Sequence, residues 1–272
     1  MDGVHVEITR RILHEVYIAV CKSPMALASI SMAGVPLRRQ YHPEKDSMGF
    51  RVLVAGGSGQ VGSGLVRALL AESSCTEVVM VNRRTIPLAA DARLRQVIMD
   101  TGAANFSSEI AELAGTGSVQ GEPLYAASCI GIGKGSQHWS EEDIKRLEID
   151  LVGAFASGCL AAGVERFGLL SAAGSSAQSW IRYARIMGQK EETVRSLGFK
   201  RLAIFRPGII AGNAHTPGFL ALLGRLVPGS FGTIDQDDIG RAFVGEFLHG
   251  QDGTTILDNA AMKLRSRAHE RS

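Results

Sequence analysis

Between residues 51 and 205, apolar and polar positions follow two alternating patterns, one of short apolar runs and one of helical spacing. Short apolar runs are separated by stretches in which apolar residues recur at helical spacing; the runs read RVLVA, EVVMV, RQVIM, LYAASCI, RFGLL and RLAIF. Strands that alternate with helices are typical of a parallel sheet whose crossover helices cover both faces. We therefore predict a doubly wound α/β fold with a parallel sheet, extended by a small helical elaboration at its C-terminal end.

The clearest helix is predicted over residues 140–163, SEEDIKRLEIDLVGAFASGCLAAG. Ser140 stands three residues before Asp143, which resembles a capping box, and Gly163 is a natural C-terminal cap. The length of this helix suits a crossover between two parallel strands.

The first 49 residues differ in texture from the rest, and the segment HPEKDSMGF predicts a linker before the first strand. Four apolar residues of this extension fall on one helical stripe: Ile8, Ile12, Val16 and Val20. We expect this amphipathic helix to dock either on the rest of the chain or on a protein partner. The chain thus divides into an extension (1–49), an α/β domain (50–262) and a basic tail (263–272) that we expect to be solvated.

The extension also carries a possible targeting signal. The stretch MALASISMAGVPLRRQYH, which begins at Met25, has no acidic residue and has paired arginines, so its texture resembles an organellar presequence. Glu7 and Glu15 argue against a simple cleaved peptide that starts at Met1. A mitochondrial and a cytoplasmic location therefore both stay open, whereas secretion is not expected.

Composition excludes several classes of function. A formal net charge of +2 is too small to direct the chain to nucleic acid or anionic lipid. No apolar run approaches the roughly 18 residues that would span a bilayer. The four cysteines share no metal-ligand or redox spacing, and the seven histidines are scattered, so we expect neither a disulfide scaffold nor a metal site.

The first motif with chemical meaning is RVLVAGGSGQVGSGLV, in which Gly56, Gly59 and Gly62 follow the first strand and open the first helix. Glycines at this spacing allow a tight turn, close approach of a pyrophosphate and close packing of helix on sheet. The helix N-terminus then offers N–H groups and partial positive charge to phosphates. This context predicts a dinucleotide-binding Rossmann fold.

The next strand ends in VVMVNRRT, where such a fold reads the adenosine ribose. Proteins that bind NAD usually place an acidic residue there, whereas Asn82, Arg83 and Arg84 supply no carboxylate and two cations suited to a 2′-phosphate. NADP(H) is therefore expected in preference to NAD(H), although the arginines are also explained as solvated charges. Asp100, at the end of the third strand, is placed to accept from the adenine amino group, or simply forms a cap or turn.

Six stretches now resemble the atypical short-chain dehydrogenase/reductases, most closely the NADPH-binding Tat-interacting-protein oxidoreductase branch. They are GGSGQVG, VNRRT, SCIGIGKG, FGLLSAAG, YARIMGQKE and IFRPGII, in that order and with similar gaps. The resemblance covers roughly residues 50–262 and implies cofactor contacts at several positions. These are Ser58, Gly59, Gln60 and Val61 for the phosphates, Arg83 and Arg84 for the 2′-phosphate, Ile130 and Gly131 for the nicotinamide half, and Ile210 for the loop after RPG.

The resemblance also implies a catalytic tyrosine followed four residues later by a lysine that lowers the tyrosine pKa and holds the nicotinamide ribose. Tyr183 matches the tyrosine, but Met187 occupies the lysine position. Lys190 lies about 4.5 Å further along the helix and about 60° around it, which makes a substitute role an unfavoured alternative. Ser171 is the remaining candidate to bond the substrate oxygen or Tyr183, or it only caps the end of a strand.

Two functions remain open on these residues. In the first, the chain binds NADP(H) with a degenerate dyad and acts as a structural or regulatory accessory subunit. In the second, it is an active NADPH-dependent oxidoreductase in which neutral Tyr183 donates a proton to a small carbonyl compound. The sequence does not identify that compound.

Overall fold

The computed structural model describes residues 49–87, 90–116, 121–132, 139–211 and 232–271. All of them belong to one compact unit, Pro43–Ser272. The amphipathic helix predicted in the extension lies outside the described residues.

A seven-stranded parallel sheet forms the centre of the α/β domain, with strand order β3-β2-β1-β4-β5-β6-β9. Its strands are β1 (Phe50–Ala55), β2 (Cys75–Asn82), β3 (Leu94–Ile98), β4 (Leu124–Ser128), β5 (Arg166–Leu170), β6 (Arg201–Phe205) and β9 (Gly253–Leu257). The six apolar runs of the sequence are the first six of these strands. The doubly wound α/β fold is therefore confirmed.

Helices cover both faces of this sheet. They are α1 (Gln60–Ala71), α2 (Phe106–Gly115), α3 (Glu141–Lys145), α4 (Val152–Ala161), α5 (Arg182–Ser196), α6 (Gln236–His249) and α7 (Asn259–Glu270). One apolar core lies under α1, α6 and α7, and a second under α2, α4 and α5. Neighbouring residues of β1 divide between them, since Val52 and Val54 face the first core while Leu53 faces the second.

The helix predicted over residues 140–163 is confirmed at both ends but is not regular throughout. The Ser140 side chain accepts from the Asp143 N–H at 3.1 Å, and Gly163 adopts a φ of +84°. Between α3 and α4, however, residues Arg146–Leu151 form a π-helical segment. Such segments are rare and often occur at functional sites.

The C-terminal residues correct the prediction of a solvated tail at 263–272. Residues up to Glu270 continue α7, where Ser266 is fully buried and accepts from Arg241 Nε at 2.9 Å. Arg265 also pairs with the buried carboxylate of Glu246 on α6. The run KLRSRAHERS reads as a basic tail, but Arg265 and Glu270 pair with Glu246 and Arg241 on α6, and Lys263 donates to the Thr233 carbonyl at 2.8 Å.

Two further strands, β7 (Ile209–Ala211) and β8 (Thr233–Asp235), form a small parallel sheet of their own. They follow β6 and precede α6. Asp235 then caps α6 by accepting from the Asp237 N–H at 2.8 Å. None of the described helices is long and apolar enough to cross a bilayer.

Candidate functional site

The turn from β1 into α1 is shaped by two glycines that tolerate no side chain. Gly56 has a φ of +76°, and a Cβ there would lie 2.5 Å from the Cys129 carbonyl carbon. A Cβ on Gly62 would lie 2.1 Å from the Gly56 carbonyl oxygen. Both glycines therefore serve the close packing of the turn on β4 and on its own helix.

Gly59 differs from these two glycines, because a Cβ there would meet only the Gly56 oxygen, at 3.3 Å. Gly59 is the N-cap of α1, no side chain caps the helix, and its first turn contains no acidic residue. Ser58 and Gly59 are both exposed. An uncapped, solvent-facing helix N-terminus that follows a glycine turn fits the phosphates of a dinucleotide.

The other residues expected at the phosphates occupy different places. Val61 is 4% exposed and packs in the first core, so that only its backbone faces the turn. The Gln60 amide donates to the Ala211 carbonyl at 3.4 Å and so connects the turn to the end of β7. Ile210 lies on β7 and packs against the first core. The structure thus brings the loop after RPG beside the glycine turn.

The polar residues after β2 have separate roles. Asn82 is buried and donates to Gln96 Oε1 at 2.9 Å, while Gln96 also bonds both backbone groups of Ile86. Asn82 therefore anchors the loop after β2. Arg83 and Arg84 are exposed, and within the described part of the chain neither forms an ion pair or a side-chain hydrogen bond. Their guanidinium groups are available to an anion.

A cavity of about 430 Å³ opens beside Arg83. It lies between the ends of β2 and β3 and the helical stretch after β4, and it is lined by Arg83, Thr101, Gly102, Trp139, Asp143, Arg146, Leu147 and Leu151. Two arginines, one carboxylate and a leucine wall suit a flat base with an anionic substituent. Arg146 and Leu147 were not found from the sequence, because only the fold brings the helix opposite Arg83.

Asp100 has the local role that the sequence left as its alternative. Its Oδ1 accepts from the Gly102 N–H at 2.9 Å, which forms a turn of the Asx type, and its side chain is exposed. Thr101 and Gly102, rather than Asp100, line the cavity. Asp100 therefore shapes the cavity wall through the backbone turn.

At the end of β4, Ile130 is half-buried and Gly131 is exposed. The next residue, Ile132, donates its N–H to Glu148 Oε1 at 2.9 Å. The other oxygen of Glu148 accepts from Lys190 Nζ at 2.7 Å, and these two side chains are 0% and 1% exposed. One carboxylate on the π-helical segment thus joins the loop after β4 to α5.

This ion pair shows whether Lys190 can substitute for the lysine that is missing at position 187. Because its ammonium group is buried against Glu148, Lys190 does not take the place of the lysine that the family pattern puts at position 187. Met187 itself is 2% exposed and is packed within the protein. The described residues therefore offer Tyr183 no compensating cation from α5.

Tyr183 opens α5 and is 44% exposed, and in the described part of the chain its hydroxyl has no hydrogen-bond partner. Desolvation by the surrounding protein raises the pKa of Tyr183, and the negative charge of Glu148 raises it further. A nearby lysine would lower that pKa. Tyr183 is thus a neutral phenol at physiological pH, able to donate a proton but poorly able to remove one.

The hydroxyl of Ser171 is hydrogen-bonded within the protein rather than free to donate to a substrate. It donates to Glu191 Oε1 at 2.5 Å and lies 3.1 Å from the Ser175 hydroxyl. Glu191 in turn forms a two-point ion pair with Arg206, with N···O distances of 2.8 and 2.6 Å. The position of Ser171 after β5 suggested catalysis, but its proton is committed to a buried network that joins β5, α5 and β6.

Comparison with known proteins gives both a fold and a family. The chain is similar to MoeE5, a structure in complex with UDP-glucuronic acid and NAD, with a TM-score of 0.57 and 20% identity over 77% of this chain and 76% of the other. No protein-family model matches the chain. The MoeE5 likeness confirms the Rossmann fold, while the Tat-interacting-protein branch stays a prediction.

Relatives of known name include two mitochondrial proteins called fmp52. The mitochondrial protein fmp52 of Emericella nidulans is 28% identical over 214 residues, which cover 74% of this chain and 89% of the relative. The mitochondrial protein fmp52 of Aspergillus fumigatus is 30% identical over 217 residues, which cover 74% of this chain and 88% of the relative. With this identity and coverage, the chain belongs to the Fmp52 family.

Proposed function

We propose that this protein binds NADP(H) at the carboxyl edge of its sheet and has a degenerate Tyr/Lys dyad, so that it serves as a structural or regulatory accessory protein. The observation that carries the proposal is the uncapped N-terminus of α1 beside two arginines, at the end of the neighbouring strand, that have no partner in the described part of the chain. The phosphates would lie at Ser58, Gly59 and Gln60. The bound cofactor would supply a hydride donor or acceptor.

The preference for NADP(H) over NAD(H) is argued from charge. MoeE5 was solved with NAD, but that protein shares only 20% identity with this chain. Here Asn82 stands where an acidic residue usually accepts from the ribose and is engaged with Gln96, and Arg83 and Arg84 form no ion pair with any described residue. Guanidinium groups bind phosphate through two donors at once. A 2′-phosphate is therefore the expected occupant of this end.

The accessory role is argued from the state of the dyad. Lys190 is paired with Glu148, Met187 carries no charge, and Ser171 donates to Glu191. A ligand present at about a hundred times its dissociation constant adds about 2.7 kcal/mol to stability. Binding alone is therefore sufficient reason to keep the cofactor site. Because the relatives are named as mitochondrial, we place this function in the mitochondrion.

One observation favours the second candidate, an active reductase. Tyr183 is 44% exposed and protonated, and reduction of a carbonyl compound requires a proton donor. Carbonyl-dependent oxidation of NADPH that disappears in Tyr183→Phe would decide for the reductase. Its absence across a broad carbonyl panel would favour the accessory role.

Replacement of both arginines tests the cofactor assignment. Each charge-assisted hydrogen bond contributes about 1.5–3 kcal/mol, so loss of at least one such bond in Arg83→Gln/Arg84→Gln is expected to weaken NADPH binding by about 10- to 100-fold or more. NADH, which lacks the 2′-phosphate, should bind within about threefold of its wild-type affinity. Titration calorimetry with both nucleotides measures this, and Arg182→Gln, another exposed arginine, is the matched control. Equal losses for both nucleotides would contradict the assignment.

A further inference from the structure

A buried ion pair joins the π-helical segment to α5. Glu148 and Lys190 are 2.7 Å apart, and their side chains are 0% and 1% exposed. Burial of two charges has a desolvation cost that often exceeds their attraction, and a pair of apolar residues would fold at least as well. Core stability alone therefore does not account for this pair.

The pair also fixes the position of the loop after β4. Glu148 uses one oxygen for Lys190 and the other for the Ile132 N–H, at 2.9 Å. A Cβ on Gly131 would lie 3.7 Å from the same Glu148 oxygen, so the carboxylate runs directly beside this backbone. The loop after β4 is thus bonded, through a single side chain, to α5.

The backbone of Glu148 is adapted to this position. It lies inside the π-helical segment Arg146–Leu151, whose wider turn changes the direction of its side chains relative to a regular α-helix. On the other side, Lys190 lies two turns after Tyr183 on α5. The same pair therefore fixes the distance between the helix that carries Tyr183 and the loop at Ile130–Ile132.

We infer that Glu148 and Lys190 are positioning residues that hold the backbone of Ile130–Ile132 against the nicotinamide half of the cofactor. This inference rests on the proposed binding of NADP(H). The pair supplies one part of what a lysine at position 187 would supply, the attachment of α5 to the cofactor. It does not supply positive charge, because the ammonium of Lys190 is matched by the carboxylate of Glu148.

Two double variants separate positioning from folding. Glu148→Gln/Lys190→Met removes both charges but keeps an oxygen that accepts from the Ile132 N–H. Glu148→Leu/Lys190→Met removes the charges and the acceptor together. Neither variant leaves a lone buried charge, so both are expected to fold. Calorimetry with NADPH reports on the whole cofactor, and with 2′,5′-ADP on its adenosine half alone.

We expect the Leu/Met variant to bind NADPH about tenfold more weakly than wild type, with 2′,5′-ADP affinity unchanged within about twofold. The Gln/Met variant keeps the acceptor for the Ile132 N–H but loses the bond to α5, so its NADPH affinity should fall between the other two, about threefold below wild type. Unchanged NADPH affinity in the Leu/Met variant, or an equal loss for both ligands, would overturn the inference while the proposed function stands. Wild-type protein that binds neither ligand would overturn both.

A measurement on the wild-type chain keeps the inference testable if the Leu/Met variant fails to fold. The Ile132 amide hydrogen should exchange slowly in the free protein, because it is bonded to a buried carboxylate. Binding of NADPH, but not of 2′,5′-ADP, should slow it further. Exchange at the rate of an open loop, or equal slowing by both ligands, would overturn the positioning role.

Discussion

The chemistry at Tyr183 depends on the charges of its neighbours. Met187 supplies none, and the charged group that acts on the phenol is the Glu148 carboxylate, which raises the pKa of Tyr183. The pKa of a free phenol is about 10. Because desolvation and Glu148 both disfavour the phenolate, the pKa of Tyr183 is raised above this value, and the side chain stays protonated at neutral pH.

Met187→Lys is expected to reverse this effect. It places an ammonium group one helical turn after Tyr183, and an opposite charge at short range lowers the pKa of an acid. The tyrosinate absorbance of each protein, minus that of its Tyr183→Phe counterpart, isolates this one phenol. Ionisation of Tyr183 should begin at lower pH in Met187→Lys than in wild type.

Met187→Leu is the matched control, because it keeps an uncharged side chain of similar volume at the same buried position. Its titration should follow that of wild type. If Met187→Lys also titrates like wild type, the charge at position 187 does not govern Tyr183, and the account of the degenerate dyad fails.

The glycine turn and α1 form the element that the cofactor proposal depends on. Gly62 has no room for a Cβ, whereas a Cβ on Gly59 would meet a single atom at 3.3 Å. Gly62→Ala should therefore destabilise the fold by about 1–3 kcal/mol, through overpacking. Gly59→Ala should change stability by less than about 1 kcal/mol, yet weaken NADPH binding by about tenfold or more, because its methyl group faces the phosphates.

Urea unfolding gives the free energy of unfolding of both glycine variants, and titration with NADPH gives their affinities. The separation of the two effects is the point of the comparison. A Gly59→Ala protein that binds NADPH as tightly as wild type would show that the turn closes the fold only and does not hold phosphates.

Helix α7 is the element most unlike its prediction. Removal of residues 263–272 would leave the Glu246 carboxylate buried without Arg265, and an unpaired buried charge costs about 3–5 kcal/mol. We expect the truncated chain to lose at least that much free energy of unfolding in urea. The control, deletion of Arg271 and Ser272 alone, should be close to neutral. Full stability after the longer deletion would instead support the prediction that residues 263–272 form a solvated tail.

At the scale of the whole molecule, the sequence was most informative where one physical rule acts locally. Strand and helix periodicity and the glycine turn depend on neighbouring residues, so the six strands and α1 were predicted correctly. The short strands β7, β8 and β9 were missed because IIA, TID and GTTIL have no periodicity long enough to separate them from loops.

The candidate site was less predictable because its key contacts join distant segments. Glu148 and Lys190 are 42 residues apart, and Ser171 and Glu191 are 20 apart. No spacing rule connects such residues until the sheet order is known. The sequence therefore showed that the lysine at position 187 is missing, but it could not show that Lys190 faces a carboxylate.

The measurement that tests the central claim most directly is calorimetric titration of the full chain with NADPH and with NADH. We predict that NADPH binds at least about tenfold more tightly than NADH, because β2 ends in Asn82 rather than an acidic residue, and Arg83 and Arg84 have no ion-pair partner among the described residues. Tighter binding of NADH would contradict the assignment of Arg83 and Arg84 to the 2′-phosphate. No binding of either nucleotide would contradict the cofactor site itself.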